Sequence, residues 1–143
     1  MFHAQQFVEF YNQTFDTNRK GLRSLYRDYS MLTFETSSIQ GAEGIVEKLS
    51  SLPFQKVEHT VSSLDAQPSS DGNIVILLAG TLWVCEDQEY SHVIGYRIVL
   101  FNHILYQIDE GQSAMNYTQL FDLIPENGSY YVLNDIFRLI YSA

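Results

Sequence analysis

Two β-prone runs, residues 116–124 and 129–141, flank the turn sequence PENGS and read as the arms of a β-hairpin. That hairpin closes a strand-rich second half, and it sets the terms for everything before it. NIVILLAGTLW, 73–83, is a buried strand, and QKVEHTVSSL is a long one with Val57, His59 and Val61 on one face. MLTFE, 31–35, alternates, with Leu32 and Phe34 facing one way and Met31, Thr33 and Glu35 the other. The first half carries the helices. Phe7, Phe10, Tyr11, Thr14 and Phe15 share one face of a helix over 4–16, and a second short helix carries Leu22, Leu25 and Tyr26. Gly41 opens a third, with Ile45, Val46, Leu49 and Leu52, which Pro53 ends. Helices first and strands after predict an α+β domain, an antiparallel sheet packed on helices.

A chain of 143 residues is one domain's worth, and 45% apolar with 17% charged residues is a foldable composition. The 10 Tyr and 9 Phe predict an aromatic core in a β-rich body. The formal charge of −9, with no Lys or Arg cluster, argues against nucleic acid or an anionic membrane as partner. It fits a basic protein surface as partner, or a plain solvated acidic surface. Cys85 stands alone and no Cys/His spacing suits zinc, so neither a disulfide nor a metal is expected, and a reducing compartment fits. MFHAQQFVEF lacks a basic n-region or cleavage site, and the apolar block 95–107 is interrupted by Arg97, Asn102 and His103. A soluble, intracellular protein is expected.

Catalytic signatures are scarce. There is no Gly-rich phosphate loop, no nucleophile motif and no pair of acids at helical spacing beside a His. His59, on a strand with Lys56 and within reach of Glu35, could serve as a base in a pocket, but a hydrogen-bonded structural His is the expected role. No cofactor is expected.

Four segments carry a family resemblance: FDTNRKGLRSLYRDYSMLTFE, IQGAEGIVEKLSSLPFQKVEH, LDAQPSSDGNIVILLAGTL and YYVLNDIFRLIYSA. They resemble the nuclear transport factor 2 family, from a fungal source, over nearly the whole chain outside 84–107. The resemblance implies a cone: a strongly bent antiparallel sheet wrapped by three helices, with a hydrophobic cavity at the open end. It implies a non-enzymatic homodimer that carries the GDP-bound form of the small GTPase Ran and binds Phe-rich nucleoporin repeats, moving between cytoplasm and nucleus at the pore. By motif, Phe34, Leu52, Val57 and Phe137 would line the cavity that takes an aromatic side chain of Ran. Glu35, Asp109 and Glu110 would be rim acids facing Ran lysines. Leu77 and Ile136 would lie in the dimer interface. Two other roles use the same fold: a cavity enzyme of the ketosteroid isomerase or dehydratase kind, which needs a base inside the cavity with a donor opposite, and a subunit of an mRNA export heterodimer.

The sequence departs from the family in two places. Family chains begin several residues earlier, with an aromatic before the first helix that helps bind nucleoporins; here Met1-Phe2 stands one turn too late. The strand ending at Trp83 should run directly into the acidic turn at Ile108, yet the 24 residues 84–107 intervene. Val84-Cys85 can be encoded by GTATGT and Tyr106-Gln107 by TAYCAG, the start and end of a typical fungal intron. The segment therefore reads as a translated intron, with a genuine inserted hairpin as the competing view.

Overall fold

The computed structural model describes residues 2–53, 56–85, 99–100, 103–104, 107–109 and 112–141. Helix α1 (Phe2–Thr17) buries Ala4, Val8, Tyr11 and Phe15, a stripe spaced by three or four residues along one face. The expected face is rotated: Phe10 is 52% exposed, because the sheet meets the helix along Val8 and Tyr11 and not along Phe10. A 3₁₀ segment, Arg19–Leu25, follows and buries Leu22. Tyr26, expected in that helix, instead begins β1 (Tyr26–Phe34), and its ring is fully buried. β1 turns through Glu35, at φ 57°, into β2 (Ser37–Gln40). Helix α2 (Ala42–Ser50) starts after Gly41, whose φ of 94° suits glycine, and buries Ala42, Ile45 and Leu49. It ends before Pro53, which leaves Leu52 beyond the last turn.

The remaining strands are β3 (Lys56–Pro68), β4 (Ile74–Cys85), the short β5 (Val99–Leu100), β6 (His103–Ile104) and β7 (Gln107–Asp109), then β8 (Gln112–Glu126) and β9 (Ser129–Ile140). Asn127 and Gly128 join the last two at φ 50° and 77°, the pair of left-handed residues that a tight hairpin with right-twisted strands requires. β4 runs without a break through Trp83 to Cys85, and Val84 is buried opposite Val57. The strand therefore extends into the segment expected to be an insertion.

The main sheet has the order β2-β1-β9-β8-β4-β3, with β7 beside the start of β8 and β5-β6 as a separate pair. Every neighbour in it is antiparallel except β1 and β9, which run parallel. The sheet is thus antiparallel as expected, with this one parallel pair added. The first and last long strands are joined by the body of the chain, not by a hairpin, so no tight turn dictates their direction. Register shifts between Val61 and Ser63, and between Asp122 and Leu123, bend the sheet. At the first, a side chain on Gly80 would come within 2.3 Å of the Thr60 carbonyl oxygen, so only glycine fits. The result is the expected α+β cone, a curved sheet with α1, the 3₁₀ segment and α2 gathered on its concave face. Leu32, Ile76, Leu78, Leu82, Phe121, Leu123 and Val132 fill the space between them. Among the described residues no helix is long and apolar enough to cross a membrane.

Candidate functional site

The parallel register of β1 on β9 sets Phe34 opposite Phe137, and the two rings stack 4.7 Å apart with planes 2° from parallel. Phe137 stacks in turn on Tyr117 at 5.3 Å. Leu52, just past α2, and Val57, early in β3, belong to the same apolar cluster. The four residues expected to line a cavity are thus all buried members of the one hydrophobic core, and of them Phe34 and Phe137 are in ring contact. A cleft of about 270 Å³ opens beside Leu52, between Phe15, Asp16, Arg19 and Ser50.

Glu35 is not on the solvent side of a strand. The chain leaves the β conformation there, and the left-handed turn breaks the alternation that would have pointed its side chain away from Phe34. Its carboxylate is turned inward and the residue is only 6% exposed. One oxygen accepts the backbone N–H of Leu139, and the other lies 3.4 Å from the Tyr141 hydroxyl, which donates to it. Burial, and then the charge of Glu35, raise the Tyr141 pKa. Asp109 ends β7 with its backbone opposite Gln112. The Asp109 side chain and all of Glu110 lie outside the described residues.

Two buried polar clusters lie away from these residues, and of their members only His59 is a candidate from the sequence. Asp135, in the middle of NDIFRL, is wholly buried. Its Oδ2 accepts from the hydroxyls of Tyr11 and Tyr26, at 3.1 and 2.7 Å, and its Oδ1 from Gln119 Nε2 at 2.8 Å. Burial pushes its pKa up to about 6, against the hydrogen bonds from Gln119, Tyr26 and Tyr11 that favour the charged form. Burial and the Asp135 charge also raise both tyrosines well above their usual value. The cluster ties α1, β1, β8 and β9 together across the core. The other group is His59. Asp16 at the end of α1 accepts from the His59 backbone N–H at 3.0 Å and lies 2.6 Å from Nδ1, while Phe15 and Tyr117 meet the ring edge-on. His59 is thus the hydrogen-bonded structural residue expected, and its partner is Asp16. The signal for both clusters is faint in a sequence, since only the fold brings Tyr11 and Asp135 together.

The convex face of the sheet is different in character. Asp65, Leu77, Leu120, Ile136 and Thr33 lie side by side across β3, β4, β8, β9 and β1. Leu77 is 49% and Ile136 42% exposed, with Met31 and Ile140 exposed on neighbouring rows. Leu77, Leu120 and Ile136 thus form an apolar row in the middle of the convex face.

The concave aromatic cluster, the helices that cap it and the apolar convex face define the class: a cone-shaped α+β domain with a covered inner face and an open outer one. The family model described as "Nuclear transport factor 2 (NTF2) domain" matches residues 3–95 and 96–139. A protein named Nuclear transport factor 2 from Emericella nidulans is 56% identical over 142 residues, covering 98% of this chain and 94% of the relative. One of the same name from Eremothecium gossypii is 50% identical over 141 residues, covering 98% and 94%. The solved structure of nuclear transport factor 2 from Cryptosporidium parvum superposes with a TM-score of 0.74 at 32% identity, covering 96% of this chain and 92% of that one. The chain belongs to the nuclear transport factor 2 family.

Proposed function

We propose that this protein is a nuclear import carrier for the GDP-bound form of Ran. The observation that carries the reading is the likeness to proteins named Nuclear transport factor 2 at 45–56% identity over nearly the full chain. The Phe34–Phe137 stack, with Leu52 and Val57 in the same cluster, supplies an apolar socket for an aromatic side chain of Ran. Glu35 at the end of β1, with Asp109 and Glu110 of the acidic segment IDEG, supplies negative charge for Ran lysines. A formal charge of −9 favours encounter with a basic surface. The protein works as a homodimer through the Leu77–Ile136 face, binds Phe-rich nucleoporin repeats, and shuttles between cytoplasm and nucleus through the pore. It is not an enzyme on this reading: the described cluster that most resembles acid–base machinery, around Asp135, is wholly buried with both carboxylate oxygens taken.

The test is import in permeabilised cells supplied with cytosol depleted of its own transport factor. Adding this protein should restore nuclear accumulation of labelled Ran. Cytosol that stays inactive when the protein is supplied, but recovers with a known family member, would contradict the proposal.

A further inference from the structure

The convex face carries charge as well as apolar surface, and the charge is placed in a particular way. β4, β8 and β9, the three central strands, contain one basic residue between them, Arg138, and three acids. Two of the acids are committed elsewhere. Asp135 is buried on the concave side, and Glu126 is paired with Arg27. The third, Asp122, lies on the convex face opposite Val75 and Asn134. Its Oδ2 is 3.4 Å from the Asn134 side-chain nitrogen, which donates to it. Its Oδ1 is shielded from water and has no hydrogen-bond partner among the described residues. The rest of this half-buried carboxylate loses its water once a second protein covers the face, and the group is then costly unless that protein brings a donor.

Asp122 and Arg138 sit on opposite sides of the Leu120–Ile136 row. Asp122 is two residues beyond Leu120 on β8, and Arg138, opposite Thr118, is two residues beyond Ile136 on β9. Because β8 and β9 are antiparallel, these steps lead away from the row in opposite directions. A two-fold axis along the row exchanges the two sides, so Asp122 of one copy comes over the partner copy's Thr118–Arg138 row. The lateral offset is then one strand spacing, about 4.8 Å, and the gap between packed sheets is about 10 Å. The extended arginine spans both. The symmetry makes two such pairs, one on each side of the apolar row.

The geometry points to Asp122 and Arg138 as reciprocal partners across the dimer, a self-complementary charge pair that sets the register in which a second copy of this chain docks. This inference rests on the homodimer proposed above and adds the residues that fix its alignment. Apolar rows slide over one another at little cost, whereas a desolvated acid must find its donor.

The experiment is sedimentation equilibrium on the full chain, with Asp122→Arg, Arg138→Asp and the double exchange, each checked for a native circular dichroism spectrum. Each single exchange should raise the dimer dissociation constant at least tenfold, and the double exchange should return it to within about threefold of the starting protein. A milder cycle guards against misfolding: Asp122→Asn should weaken the dimer about fivefold, but less than twofold when Arg138→Gln is already present. A double exchange no better than the singles, or an Asp122→Asn effect of the same size in both backgrounds, overturns the pairing while leaving the dimer standing. A starting protein that is monomeric at every concentration overturns the dimer itself.

Discussion

The carboxylate of Glu35 accepts the backbone N–H of Leu139, so an acid at the end of β1 closes the last turn of hydrogen bonding on β9. The same carboxylate is proposed to meet a lysine of Ran, which gives it a structural and a binding task at once. Glu35→Gln keeps an acceptor of the same shape and removes the charge. It should leave the unfolding midpoint nearly unchanged and weaken binding of Ran-GDP by about 1–3 kcal/mol, read by calorimetry. Glu35→Lys should in addition destabilise the fold by at least about 2 kcal/mol in urea, because it places a cation where a buried N–H needs an acceptor. Equal binding by Glu35→Gln and the starting protein would remove Glu35 from the proposed site.

Asp135 makes stability depend on pH. Its folded pKa, about 6, stands above the 3.8 of a free carboxyl. Below about pH 4 the group is protonated whether the chain is folded or not. Between about pH 4 and 6 the folded chain keeps a proton that the unfolded chain releases, so stability falls as pH rises through this window. The total is on the order of 2–3 kcal/mol. Asp135→Asn should flatten the curve of unfolding free energy between pH 4 and 6 by about that amount. Parallel curves for the two proteins would show that Asp135 does not carry this dependence.

Ile136 is 42% exposed in the single chain, so a charge there costs the monomer little. In a dimer through this face the same charge would be buried unpaired, at a cost of several kcal/mol. Ile136→Glu should therefore sediment as a monomer that keeps a native circular dichroism spectrum, with an unfolding midpoint lowered only by the lost association. A variant that remains dimeric would place the interface elsewhere.

Residues 84 and 85 pair with Ser113 and Gln112 of β8, and Asp109 also pairs with Gln112 from β7. Deleting 84–107 and joining Trp83 to Ile108 would put Ile108 in the place of Val84 and Asp109 in that of Cys85. Glu110-Gly111 would then be a two-residue hairpin turn in register with the existing ladder. Such a turn holds the acidic side chains in one place, and a pre-organised contact loses less entropy on binding. The shortened chain should fold and bind Ran-GDP at least tenfold more tightly than the full chain. Equal affinity at the same salt would show that the segment is a tolerated part of the protein.

Much of the fold could be read from local pattern, and the losses have physical causes. The PENGS hairpin, the α2 stripe of Ile45 and Leu49, and the strand over 73–83 follow from turn chemistry and periodicity, which are properties of neighbouring residues. Tyr26 was misplaced because its role is set by Asp135, far away in sequence. Glu35 was misplaced because one left-handed residue ends the strand's alternation, and a Glu does not announce that conformation. The parallel pairing of β1 with β9 has no local signal at all. In the candidate site, Phe34 and Phe137 could be matched to a cavity only through family resemblance, since periodicity alone marks both as ordinary core.

The central claim is that this chain recognises Ran in one nucleotide state, and calorimetric titration tests it without intermediaries. The protein is titrated with Ran loaded with GDP and, separately, with Ran loaded with a non-hydrolysable GTP analogue, at one salt concentration. The account predicts saturable binding to the GDP form, at one Ran per protomer, and at least a hundredfold weaker binding to the GTP form. Equal affinity for the two forms, or no heat with either while a known family member binds the same Ran preparation, would contradict it.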